Sequence, residues 1–234
     1  MARLGSTSRH IRLNFIPARS TLHSQRPKPS FRWRAQSNTV TANSLDRLLS
    51  DDSTVFEAYD AVVYDLDGTL VDLLVDWNRV AADAEAAFDD AGVDAAGMDL
   101  WAMLDLADEE EMRPEIEAVI ADHERDGARN STRLALADGV ADHAVPVGVC
   151  SLNCEDACRI ALDVHELAGY VDSVVGRDSV ATRKPDPEPL LATLRELGVG
   201  PENALFVGDS ARDERTAERA GVAFRYVGGG PSGV

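Results

Sequence analysis

The chain has 234 residues, 44% of them hydrophobic, and carries 23 basic against 41 acidic side chains for a formal charge of −18. That length allows one core domain with a smaller one inserted or appended, and the apolar content suffices for an ordinary buried core. No run approaches the roughly 18 apolar residues of a membrane helix, and the acidic excess argues against nucleic acid or an anionic membrane as partner.

The charge breaks sharply near residue 50. Nine basic residues stand before that point against Asp46 alone, which leaves fourteen basic and forty acidic residues beyond it. In dilute salt such a body repels itself, whereas molar salt shortens the Debye length to about 3 Å and removes most of the repulsion. The body is therefore expected to suit concentrated salt. Residues 1–54 read as a basic, disordered extension. Their Arg- and Ser-rich composition fits an organellar transit peptide or a nucleic-acid-binding tail. We favour an over-extended reading frame; since no Met falls between Met1 and Met98, a later start would use an alternative initiator codon, near Val40 or Val55.

The first element is the short apolar run Ala61 to Tyr64, which breaks into Asp65-Leu66-Asp67-Gly68-Thr69 and so reads as a buried strand ending in a tight turn. Two carboxylates then sit at the strand's carboxyl end, where open α/β sheets bind ligands. An acidic turn that caps the next segment is the simpler alternative. Trp77, Val80, Ala81, Ala84, Ala87, Phe88 and Ala91 recur at helical spacing and stop at Gly92. Further helices are expected over Leu100 to Leu106 and Pro114 to Arg125, completing a small α-helical insertion over residues 76–127. Leu134 to His143 reads as a helix leading into a strand from Val145 to Cys150.

From there the pattern alternates. Helices are expected over Glu155 to Leu162, Pro187 to Leu197 and Ala211 to Ala220, and strands over Tyr170 to Val175, Ala204 to Val207 and Val222 to Val227. Strands separated by helices of this length imply βαβ units. The predicted fold is α/β, a Rossmann-like parallel five-stranded sheet flanked by helices. Its core spans residues 55–75 and 128–234, with the helical segment inserted after the first strand.

Several residues invite chemical readings of their own. Lys184 is the only lysine beyond residue 50, and a compact ammonium suits a phosphoryl oxygen and a neighbouring carboxylate better than a planar guanidinium does. Cys150, Cys154 and Cys158 fall every four residues but lack a completing fourth ligand, so small buried side chains in a reducing cytoplasm are expected. Trp77 and Trp101 are expected in the core. Arg79, Arg113 and Arg125 read as solvated ion-pair partners, and His123 as a lone helix histidine.

Four segments in order, Asp65-Leu66-Asp67-Gly68-Thr69, Ser151 at a strand end, Lys184 in Arg183-Lys184-Pro185-Asp186, and Gly208-Asp209-Ser210-Ala211-Arg212-Asp213, together resemble the haloacid dehalogenase-like superfamily of phosphatases. The resemblance extends over nearly all of residues 58–228 and points to the phosphoglycolate phosphatase-like subgroup with a small helical cap. It implies that Asp65 attacks phosphorus to form an aspartyl-phosphate while Asp67 protonates the leaving alcohol and then activates water. Ser151 and Lys184 would hold the phosphoryl group. Mg2+ would be bound by Asp65, by the backbone carbonyl of Asp67 and by Asp209, with Asp213 a ligand or a support behind one. For Asp213 a solvent-facing helix acid is an equal alternative.

The resemblance also implies a cap that selects a small phosphorylated metabolite as partner. Leu152 between Ser151 and Asn153 departs from the family's pattern and leaves the role of Asn153 open. A sugar phosphomutase and a non-catalytic binding protein on the same fold are the alternatives to a hydrolase, and oligomeric state is left open. The acidic body, for its part, resembles proteins of halophilic archaea.

Overall fold

The computed structural model describes residues 56–229, and the expectations for residues 1–54 lie outside them. Seven strands and six α-helices follow in order: β1 Ala61–Tyr64, β2 Val71–Asp72, α1 Trp77–Ala91, α2 Leu100–Glu109, α3 Arg113–Arg129, β3 Thr132–Arg133, β4 Val147–Cys150, α4 Glu155–Val164, β5 Ser173–Val175, α5 Glu188–Leu197, β6 Ala204–Gly208, α6 Ala211–Ala220 and β7 Ala223–Tyr226. Five strands form one sheet in the order β5-β4-β1-β6-β7, with every neighbouring pair parallel.

Alternation along the strands explains the layers. Val62, Tyr64, Val147, Val149, Leu205 and Val207 face one side, where Ala157, Cys158, Ala161 and Leu162 of α4 cover them. Val63, Cys150, Ala204 and Phe206 face the other side and meet Leu190 and Leu194 of α5 and Ala217 of α6. Burial of both faces accounts for strands that read as continuous apolar runs. All three cysteines are free and buried within these layers, as expected from their size and polarity.

Helices α1 to α3 pack on a separate core of Val80, Ala84, Phe88, Met103, Leu104, Ile116 and Ile120. The first two start at capping aspartates, Asp76 and Asp99, whose side chains accept backbone N–H bonds, and α1 ends on Gly92 at φ 78°. The two-residue antiparallel ribbon β2–β3, pairing Val71 with Arg133 and Asp72 with Thr132, closes the base of the insertion. Strands this short leave no readable alternation.

Three expectations fail locally. Residues Ala135–Asp142 form 3₁₀ turns rather than an α-helix. Gly139 weakens the segment, and the Arg133 guanidinium takes the Ala137 carbonyl at 3.1 Å, which an α-helix would need. Tyr170 belongs to a 3₁₀ turn closed by its N–H on Leu167 O at 2.9 Å, so β5 begins only at Ser173. Trp77 is not core but 43% exposed at the start of α1.

Because the inserted helices own a distinct core, Phe88→Ala should open a cavity there and cost roughly 3–5 kcal/mol. Thermal denaturation followed by circular dichroism checks this, with a clear fall in Tm as the expected outcome.

Candidate active site

The sheet order places β1 between β4 and β6, so their carboxyl ends lie side by side and the residues just beyond them converge. Asp65 follows β1, Ser151 follows β4 and Asp209 follows β6, at the point where the chain's winding reverses direction. Gly68, at φ 80°, turns the chain after Asp67, and a Cβ there would overlap the Asp209 carboxylate. Glycine is thus required twice over, for the left-handed turn and for the close approach.

Lys184, buried, reaches into this convergence from the loop before α5. Its Nζ donates to Asp65 Oδ1 at 2.9 Å, to the Cys150 carbonyl at 3.0 Å and to Asp213 Oδ1 at 2.5 Å. An ammonium has three donors, and all three are used. The same nitrogen lies 5.5 Å from the Phe206 ring centroid. Burial opposes the charge, but the carboxylates of Asp65 and Asp213 hold the lysine protonated above its usual range.

Asp213 is only 1% exposed, which removes the solvent-facing reading. Its second oxygen accepts from the Ser210 backbone N–H at 3.2 Å and from the Ser210 hydroxyl, forming a capping box at the start of α6. Both carboxylate oxygens therefore have protein donors. Asp65, Asp209 and Asp213 nevertheless bring ligand-capable oxygens within 4.8 Å of one another.

The charges explain how these acids titrate. Burial raises Asp65 to about 7 against the pull of Lys184, with repulsion from Asp213 and Asp209 adding to the rise. Asp209, open to solvent on one side, is also raised, by partial desolvation and then by Asp213. Burial pushes Asp67 up to about 6, against the hydrogen bond from the Leu73 backbone N–H. One of its oxygens accepts from the Leu73 N–H at 2.8 Å, which leaves the other for proton exchange. Three crowded carboxylates served by one ammonium carry a negative surplus, so the donor set suits a hard divalent cation.

Ser151 is buried, with its hydroxyl donating to Asn153 Oδ1 at 3.1 Å and its oxygen accepting the Asn153 backbone N–H at 3.2 Å. Asn153, whose role was open, is thus tied directly to Ser151. Above the site, Trp101 of α2 lies 4.4 Å under the Arg212 guanidinium and 5.9 Å from Arg183, and Asp105 pairs with Arg183. The inserted helices therefore meet the residues flanking Lys184 and Asp213. Arg79, Arg113 and Arg125 form ion pairs with neighbouring acids, as expected, and His123 pairs with Asp83 at 2.8 Å.

One group was missed from the sequence. Glu124 of α3 is fully buried and forms a two-pronged pair with Arg177, at 2.5 and 3.1 Å, close to Ser151 and Asn153. The available signal was its place on the buried stripe of Ile116, Ile120 and Ala128, where an unpaired acid would be costly.

A family profile described as haloacid dehalogenase-like hydrolase matches residues 62–227. A phosphoglycolate phosphatase of Rhodospirillum rubrum is 35% identical over 184 residues, covering 69% of this chain and 76% of the relative. Another, from Aquifex aeolicus, is 29% identical and covers 69% and 81% respectively. Among solved structures, CbbY from Rhodobacter sphaeroides in complex with phosphate aligns with a TM-score of 0.53 at 19% identity, covering 74% of this chain and 87% of that one. A hydrolase from Pseudomonas syringae aligns with a TM-score of 0.53 at 23% identity, covering 70% and 83%.

The raised Asp67 carboxyl has a consequence for stability. Its folded-state pKa of about 6 lies above its ordinary 3.8, so the folded chain binds the proton more tightly and loses stability as pH rises between those values. Asp67→Asn should therefore raise Tm at pH 7.5 in chelating buffer. The gain should shrink from pH 6 downward and vanish near pH 4, as pH-dependent melting curves would show.

Proposed function

Since the chain belongs to the haloacid dehalogenase-like hydrolases and is a phosphatase of that type, we propose that it hydrolyses a small phosphomonoester with Mg2+ through a phosphorylated Asp65. The observation that carries this reading is the pairing at one strand end. Asp65 is held by Lys184 at 2.9 Å, and Asp67 two residues on has a carboxyl raised to about 6. A nucleophile and a proton donor need such unequal surroundings.

The chemistry follows from the hydrogen bonds. Lys184 occupies one oxygen of Asp65, and the other attacks phosphorus in line, forming the Asp65 O–P bond as the ester O–P bond breaks. Asp67 gives its proton to the departing alcohol. It then accepts a proton from the water that attacks the aspartyl-phosphate, which releases inorganic phosphate and restores Asp65. The Ser151 hydroxyl would hold a phosphoryl oxygen, while Lys184, whose three donors already serve Asp65, the Cys150 carbonyl and Asp213, would add its positive charge beside the group. Mg2+ would be held by the carboxylates of Asp65 and Asp209 and the backbone carbonyl of Asp67, with Asp213 supporting from behind, and it supplies neutralisation of phosphoryl charge. The three convergent carboxylates and their negative surplus support this assignment.

The names of the two bacterial relatives make 2-phosphoglycolate the first substrate to test. The acidic body favours a small metabolite over nucleic acid as partner. Among the described residues no helix is long and apolar enough to cross a membrane.

Phosphate release from 2-phosphoglycolate, sugar phosphates and nucleotides should be measured in molar salt. Activity should require Mg2+ and stop on chelation. Asp65→Asn should abolish turnover, and Asp67→Asn should lower kcat on the order of 10²–10⁴-fold. Full activity in Asp65→Asn would refute the nucleophile assignment.

A further inference from the structure

We propose that Glu124, on α3 of the inserted helices, is a positioning residue that fixes the phosphate-holding Ser151 through Asn153, with Arg177 as its counter-ion. This rests on the reading of Ser151 given above and deepens it.

The turn from Ser151 to Cys154 is held from outside by these two side chains. Glu124 Oε2 accepts the Cys154 backbone N–H at 2.9 Å, and Glu124 Oε1 faces the Asn153 amide nitrogen at 3.4 Å. Arg177 Nη1 donates to the Leu152 carbonyl at 2.8 Å, and its backbone N–H donates to the Asn153 carbonyl at 2.9 Å. Gly176 brings the two segments together, since a Cβ there would strike the backbone at Asn153 and Glu155. A pair that served only to anchor α3 would not need these contacts. Arg177 already reaches a second glutamate of that helix, Glu117, at 2.8 Å.

The orientation of Asn153 is what matters for Ser151. With its amide nitrogen turned toward Glu124, Asn153 presents Oδ1 to the serine hydroxyl, and its backbone N–H pins the serine oxygen. The Oγ position is thus fixed while its hydrogen stays free to rotate. When a phosphoryl oxygen arrives, the hydrogen can swing from Asn153 to it with no change of side-chain rotamer. Such preorganisation spares the site a reorganisation cost at the moment of binding. Arg177 offsets the negative charge that Glu124 would otherwise set beside an anionic ligand.

Leu152 stands between Ser151 and Asn153, and Asn153, beyond it, turns its amide nitrogen to Glu124 of α3.

The test uses the full chain, with inorganic phosphate as a competitive inhibitor of phosphate-ester hydrolysis. In folded Glu124→Gln, the inhibition constant for phosphate and KM should both rise about ten-fold, the size of one lost oriented hydrogen bond. In a Ser151→Ala background the same substitution should add less than about two-fold, because the two act as one unit. Unchanged phosphate inhibition in folded Glu124→Gln, or effects that multiply with Ser151→Ala, would overturn the proposal. If Glu124→Gln does not fold, Asn153→Ala takes its place in the cycle, with the same expected and overturning results. Wild-type turnover separates the two readings. Its absence would remove the phosphatase reading of the site, whereas an active enzyme indifferent to Glu124 would remove only the positioning role.

Discussion

A single ammonium group ties together three stretches of chain whose ends the parallel sheet sets side by side. Lys184 Nζ spans the end of β1 through Asp65, the end of β4 through the Cys150 carbonyl, and the start of α6 through Asp213. Losing one partner of such a buried set leaves charge uncompensated, typically at a cost of about 3–5 kcal/mol. Asp213 is itself fixed by the Ser210 capping box, so the first turn of α6 becomes part of the lysine's setting. The geometry at the sheet's edge is therefore a property of the whole parallel sheet, not of one loop. Moving any of β1, β4 or β6 by an ångström would loosen the lysine.

The inserted helices are joined to the sheet by contacts of unequal strength. At their base are the β2–β3 ribbon and the buried Arg177–Glu124 pair. At the far edge, Trp101 and Asp105 of α2 meet Arg212 and Arg183, and the Asp105 side chain is largely exposed. Exposed pairs and cation–π contacts are each worth about 0–1 kcal/mol. Parting the far edge thus costs much less than parting the base. The buried pair at the base also contacts the turn from Ser151 to Cys154, through the Leu152 carbonyl and the Cys154 N–H.

Much of this was legible in the sequence because the informative signals are local. Apolar runs ending in Asp65, Ser151 and Asp209 mark strands whose ends must share one edge, and the solitary Lys184 marks itself by composition. Helix α1 announces itself through apolar residues at helical spacing that stop at Gly92. What stayed hidden depends on partners distant in sequence. Glu124 looks like one more acid on an acidic helix until Arg177, 53 residues later, is seen to pair with it. The Ala135–Asp142 segment has helical composition, yet a side chain from outside takes one of its carbonyls. Asp213 shows the same limit, since the ammonium that holds it lies 29 residues earlier in the chain.

The two aspartates after β1 differ in a way that bears on order of events. For both, burial is the largest cause of the raised pKa, but only Asp65 is drawn down by Lys184. A cation among Asp65, Asp209 and Asp213 would draw Asp65 further toward the ionised form a nucleophile needs. At Asp67 it would offset the repulsion from Asp209 while leaving the desolvation in place. A phosphoryl dianion arriving beside Asp67 would push in the opposite direction and favour its protonated form. Substrate and cation together would therefore separate the two carboxyl groups, with Asp65 charged and Asp67 carrying the proton. The fold prepares that division by giving the buried Lys184 to the first aspartate and a backbone N–H to the second.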